Sequence, residues 1–74
     1  MTKLAGISGR VAIKKFCKLG YQIIRQKGSH VRLKHPEAFR YKPITIPMKK
    51  ELKLGLLYQL IKDARITEKE FLEL

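Results

Sequence analysis

One six-residue stretch, His30–His35, limits the folds open to this chain more than any other. Apolar Val31 and Leu33 alternate with His30, Arg32 and Lys34, the period-two pattern of a strand with one face in a core and the other in solvent. Gly28-Ser29 before it is a turn signal. Tyr21–Lys27, further upstream, opens with aromatic and β-branched residues. The two segments therefore read as a β-hairpin, with the register open by a residue or so. A strand that is dry on one side needs a covering layer there, and in this chain flanking helices must supply it.

Helices can be read on both sides of the strands. Ser8 suits the N-cap of a helix running to about Leu19, with Gly20 as its stop. Ala12, Ile13, Phe16, Cys17 and Leu19 fall near helical spacing on one side, and Arg10, Lys14, Lys15 and Lys18 take the other. His35-Pro36 breaks the strand, because proline lacks an amide donor and restrains the residue before it. Glu37–Tyr41 then reads as a loop, or as the widened end of the next hairpin. Lys42–Ile46 reads as a third strand with Ile44 and Ile46 facing one way, and Pro47 ends it. Lys53–Ala64 carries a broad apolar stripe of Leu56, Leu57, Leu60 and Ile61, the mark of a second helix. Thr67-Glu68-Lys69-Glu70 fits a capping box for a short last helix ending near Leu72. The expected architecture is α+β, in the order α-β-β-β-α with a short C-terminal helix, as a single domain over residues 1–74. Two helices cover one face of a three-stranded antiparallel sheet. His30, Arg32 and Lys34 project from the other, open face.

Charge narrows what that face would meet. Lysine and arginine number 17 against 6 acidic residues, a net charge of +11. Residues 1–50 hold 13 basic residues and one acid, Glu37, a balance of +12; residues 51–74 hold 4 and 5, a balance of −1. Such a field attracts polyanions, with binding that weakens steeply as salt rises. A general preference for lysine would have coloured the last third too. The same composition argues against a metal-dependent nuclease, which needs several converging carboxylates. It also argues against zinc, since there is one cysteine and no close ligand pair. No cofactor is expected in a chain this short. The lone Cys17 excludes an intramolecular disulfide and fits a reducing compartment. No apolar run is long enough for a transmembrane helix or a signal peptide. The expectation is a cytoplasmic protein without a membrane partner.

Lys27-Gly28-Ser29-His30 is the run best suited to chemistry. Glycine lets a phosphate approach the backbone, serine brings a hydroxyl, and lysine brings a cation. Histidine titrates near neutrality, at roughly pH 6.5 unperturbed. RNA scission by the neighbouring 2′-hydroxyl needs a base, an acid and charge stabilisation, which one imidazole among cations can largely provide without metal. Judged by spacing alone, a tight turn followed by an exposed histidine with no role is the commoner arrangement. His35 lies an odd number of positions from His30, so a regular strand points the two rings to opposite faces, and His35 reads as a strand end. Cys17, on the apolar stripe, reads as a buried structural thiol. The lysines and arginine of the first helix either form a solvated face or track a phosphate backbone. Tyr21, Tyr41 and Tyr58 can stack on bases, although Tyr58 should be partly in the core.

From Ser8 to Leu74 the sequence resembles the HicA, or YcfA-like, family of toxins from toxin–antitoxin systems. The resemblance rests on Ser8-Gly9-Arg10, Leu19-Gly20-Tyr21, Arg25-Gln26-Lys27-Gly28-Ser29-His30 and His35-Pro36. It continues through Ile44-Thr45-Ile46-Pro47, Glu51-Leu52-Lys53-Leu54-Gly55, Ile61-Lys62-Asp63-Ala64 and Ile66-Thr67-Glu68-Lys69-Glu70-Phe71. It implies a fold like a double-stranded-RNA-binding domain and endoribonuclease toxicity directed at mRNA. It also implies a catalytic histidine at His30 and a HicB-like antitoxin that covers the active surface. Arg25, Lys27, Gly28, Ser29, Arg32 and Lys34 are the expected RNA-contacting residues. The chain departs from the family pattern in three places. Pro47-Met48-Lys49-Lys50 lacks the histidine that many members carry after this proline. Leu56 follows Gly55 where threonine is common. Arg65 follows Ala64 where the family usually has glycine. The first departure leaves open a non-catalytic RNA-binding module on the same fold. A third reading, independent of it, is an interaction subunit whose basic face holds an acidic partner.

Overall fold

The computed structural model describes residues 3–74. Helix α1 spans Gly9–Leu19, and the Ser8 hydroxyl accepts a hydrogen bond from the Val11 amide at 3.1 Å. It ends as the sequence predicts: Gly20 takes a left-handed conformation, its amide bonds the Cys17 carbonyl, and the Tyr21 amide bonds the Phe16 carbonyl. This double closure is a Schellman motif, which carries an apolar contact between the residues at its two ends. Here that contact is Phe16 edge-on to Tyr21, with centroids 5.7 Å apart. Tyr21 thus belongs to the helix stop, and the first strand begins one residue later than expected.

Strands β1 (Gln22–Lys27), β2 (His30–Lys34) and β3 (Ile44–Pro47) form an antiparallel sheet in the order β1-β2-β3. Helix α2 (Leu54–Asp63) and the short α3 (Glu68–Leu72) follow, and both reciprocal bonds of the Thr67–Glu70 capping box are made. The core joins Ala12, Ile13 and Phe16 of α1 to Val31 and Leu33 of β2, Ile44 and Ile46 of β3, Leu57, Leu60 and Ile61 of α2 and Phe71 of α3, with Leu4, Tyr21, Leu52 and Ala64 from the segments that flank these elements. Among the described residues, no helix is long and apolar enough to cross a membrane.

The structure departs from expectation in several details. Strand β3 starts at Ile44, two residues later than Lys42, and Pro47 pairs with His30 within it rather than ending it. The helices do not reach across the whole sheet. Ile23 pairs with Leu33, so the two share a face, yet Leu33 is fully buried and Ile23 is 54% exposed. Every residue of β1 is exposed. Cys17 is exposed rather than buried. The buried stripe of α1 runs through Gly9, Ala12, Ile13 and Phe16, and Cys17 lies one position beyond it, on the solvent flank. Partial burial still pushes its thiol pKa up, away from thiolate reactivity. Tyr58 also keeps 43% of its surface in solvent, while the adjacent Leu57 is fully buried.

Candidate active site

The hairpin turn sets the site. Two residues, Gly28 and Ser29, join β1 to β2, and Gly28 has φ +59°. A two-residue hairpin with positive φ at its first central position alone matches the II′ turn, which favours glycine there. A β-carbon at Gly28 would meet nothing within 4 Å, so torsion is what selects glycine. The turn places Lys27 directly opposite His30.

An irregularity in β1 completes the arrangement. Ile23 pairs with Leu33 but Arg25 pairs with Arg32, so β1 advances two residues while β2 advances one. Strict alternation would put Arg25 and Lys27 on the same face as Ile23, toward the helices. The bulge at Ile24 reverses the parity. Arg25 and Lys27 therefore share the open face with Arg32 and His30. Together with Gly28, Ser29 and Thr45 they line a basin of about 530 Å³.

Arg32 is held in place by its neighbour, with Nη1 donating to the Thr45 hydroxyl at 3.0 Å. Arg25 faces Arg32 across the strands. Like charges directly opposite one another destabilise a sheet, and the one acid among residues 1–50, Glu37, lies in the β2–β3 loop. The basin therefore concentrates positive charge around an exposed imidazole and supplies no carboxylate of its own.

Six of the seven sequence-predicted residues come together here: His30, Arg25, Lys27, Gly28, Ser29 and Arg32. Lys34 does not join them. It lies on the open face but lines a separate depression with Gln22, Ile24, His35, Pro36 and Ala38 at the far end of β2. Thr45 is the residue sequence reasoning missed, and the signal for it was present: it lies between inward-facing Ile44 and Ile46, so it must face outward.

His35 plays a different part. It is 6% exposed. Its Nδ1 accepts a hydrogen bond from the Glu37 amide at 3.0 Å, which leaves the ring proton on Nε2, 3.1 Å from the Leu19 carbonyl. The ring also packs on Tyr41 at 4.1 Å and edge-on to Tyr21 at 5.2 Å. It ties the end of α1 to the end of β2, which fits its reading as a strand end. Tyr21 donates to the Lys42 carbonyl at 2.7 Å. Burial, then the nearby Asp63 carboxylate and Tyr41, push the Tyr21 phenol up to about 12. Tyr21 is buried and Tyr41 partly so, which withdraws both from base stacking in this state. Among the described residues, no three His, Cys, Asp or Glu side chains are placed to hold a metal ion.

Fold and basin together define a small α+β domain that offers a histidine and a ring of cations on the uncovered face of its sheet. Residues 9–66 match the family model of the HicA toxin of bacterial toxin–antitoxin systems. The match covers over three quarters of the chain and stops before α3. The chain belongs to the HicA toxin family, and membership implies an antitoxin partner. No curated protein sequence matches it.

Proposed function

We propose that this toxin is a metal-independent endoribonuclease acting on mRNA, with His30 as its catalytic residue and residues 1–74 working as one HicA-like domain in the cytoplasm. The observation that carries the reading is the placement of an exposed imidazole between Lys27, Arg25 and Arg32, on a face whose own charges repel one another until an anion arrives. Arg25, Lys27 and Arg32 would neutralise the scissile phosphate. The Gly28-Ser29 turn would let the ribose-phosphate chain approach the backbone. Lys34 would hold a more distant phosphate.

His30 would take the proton of the 2′-hydroxyl as O2′ attacks phosphorus. The P–O5′ bond breaks as the P–O2′ bond forms, and the protonated His30 returns its proton to O5′, directly or through a water molecule, so that O5′ gains one proton for the one O2′ gives up. The products are a 2′,3′-cyclic phosphate and a 5′-hydroxyl. The cations would stabilise the added negative charge of the phosphorane. The HicB-like antitoxin would act by covering this face.

His30→Ala should lower cleavage of a purified oligoribonucleotide by about 10²–10⁴-fold with the unfolding midpoint unchanged, and cleavage by the wild type should persist in EDTA. A variant that cuts as fast as the wild type ends the assignment of His30. Strict dependence on added magnesium ends the metal-free mechanism. One specific observation favours a second reading, a non-catalytic RNA-binding module: the segment after Pro47 offers Met48, Lys49 and Lys50 and no second histidine. That module would bind RNA in a salt-sensitive manner and leave it intact at any excess of protein.

A further inference from the structure

Three backbone segments meet in sequence at the His30 end of the sheet. His30 pairs with Pro47 across β2 and β3, and the Met48 amide bonds the Ser29 carbonyl at 2.6 Å. On the outer side of that segment the Gly9 amide bonds the Lys49 carbonyl at 2.9 Å. Contact there is so close that a β-carbon at Gly9 would collide with the Pro47 carbonyl. A line drawn across the strands therefore passes from Lys27 to His30, then Pro47, then Gly9. Neighbouring strands are about 4.8 Å apart, so the start of α1 lies roughly 10 Å from His30 by two such steps.

A second depression sits at that point. It measures about 230 Å³ and is lined by Ser8, Arg10, Met48, Lys49 and Lys50. Arg10, Lys49 and Lys50 are all exposed, and they come from two segments about forty residues apart in sequence. No acidic side chain lines the depression. Arg10 also begins a run of cations along α1, since exposed Lys14 and Lys18 follow at four-residue intervals on the same side. Lys15 is not part of that run: it is partly buried and donates to the Leu72 and Leu74 carbonyls at 3.4 and 3.1 Å.

We propose that Arg10, Lys49 and Lys50 form a second phosphate-binding subsite for the RNA strand whose scissile phosphate occupies the His30 basin. The inference rests on the ribonuclease reading and deepens it. A single RNA strand crosses the end of the sheet at right angles to the strands, with one phosphate beside His30 and another, one or two nucleotides along, between β3 and α1. The preferred substrate is therefore an RNA long enough to fill both positions.

The test compares wild type with the Arg10→Gln/Lys49→Gln/Lys50→Gln variant on two substrates, an unstructured 12-nucleotide RNA and a dinucleoside monophosphate that can occupy the basin alone. In wild type, kcat/KM should favour the 12-mer. In the variant that advantage should shrink by about ten-fold or more, chiefly through KM. Binding of a non-cleavable 2′-O-methyl 12-mer, titrated against salt, supplies a second readout. The slope of log K against log salt should fall by about 0.7, the share of the one single-strand phosphate contact that is lost. An unchanged salt slope with an undiminished length advantage overturns the subsite. Equal losses on both substrates also overturn it, because they place the effect inside the basin. If the wild type cuts nothing, the ribonuclease reading fails by itself, while the salt slope still decides whether these three cations hold RNA.

Discussion

Two helix ends in this protein close in the same way but with different residues, and the contrast yields a quantitative prediction. At the end of α2, the Arg65 amide bonds the Lys62 carbonyl at 3.0 Å and the Ile66 amide reaches the Ile61 carbonyl at 3.3 Å. These are the two bonds of a Schellman motif, matching those at the end of α1. The residue in the left-handed position is Gly20 in the first case and Arg65, with φ +54°, in the second. A residue with a β-carbon pays roughly 1–2 kcal/mol in that conformation. Glycine avoids that cost but gives up part of the gain, about 0.4–1 kcal/mol, through the larger entropy of its unfolded chain. Arg65→Gly should therefore stabilise the fold by about 0.5–1 kcal/mol. For a domain of this size that raises the melting temperature by roughly 2–8 °C. Urea denaturation followed by circular dichroism would report it as a higher midpoint with an unchanged slope. Arg65→Ala is the necessary control, because it removes the same charge and side chain while keeping the β-carbon. If alanine stabilises as much as glycine, the gain comes from relieved charge repulsion, and the backbone argument is refuted.

Gly20→Ala should act in the opposite direction. Its φ is +118°, and a β-carbon there would lie 2.5 Å from the His35 Nε2; a loss of about 2–4 kcal/mol is expected, and a near-wild-type urea midpoint would show that α1 and His35 separate freely. Tyr21→Phe should cost about 1 kcal/mol at neutral pH by leaving the Lys42 carbonyl without its hydroxyl donor. It should also flatten the alkaline end of the stability curve. The native phenol holds its proton up to about pH 12, whereas the unfolded one releases it near pH 10, so this contribution is complete below about 10 and fades toward 12. Parallel curves for wild type and variant across that window would remove the assignment. Lys15→Met keeps the packed stem but loses both carbonyl contacts and the cation 5.5 Å from the Phe71 ring centroid. It should cost about 0.5–1.5 kcal/mol and speed amide exchange around Leu72–Leu74, and unchanged exchange there would mean that α3 does not depend on Lys15.

Much of the molecule was legible in the residues alone, because local chemistry decides it. Ser8 and Gly20 mark the ends of α1, Gly28-Ser29 the hairpin, and Thr67 with Glu70 the last cap; each acts within a few residues along the chain. The alternation of Val31 and Leu33 with His30 and Arg32 likewise determined which face of β2 is dry, and hence that His30 meets solvent. Other features depend on what lies across from a residue, which no local pattern encodes. The bulge at Ile24 turned Arg25 and Lys27 toward His30, where strict alternation would have sent them to the other face. Lys34 shares the face of His30 but is too far along β2 to share its basin. Lys15 read as one more solvent cation until α3 brought its terminal carbonyls within reach, and Cys17 read as core until the narrow contact of α1 left it outside. Short-range torsions and periodicity write the elements into the sequence. Pairing register and the reach of one layer over another exist only once the chain has folded back on itself, and they decided which cations surround the histidine.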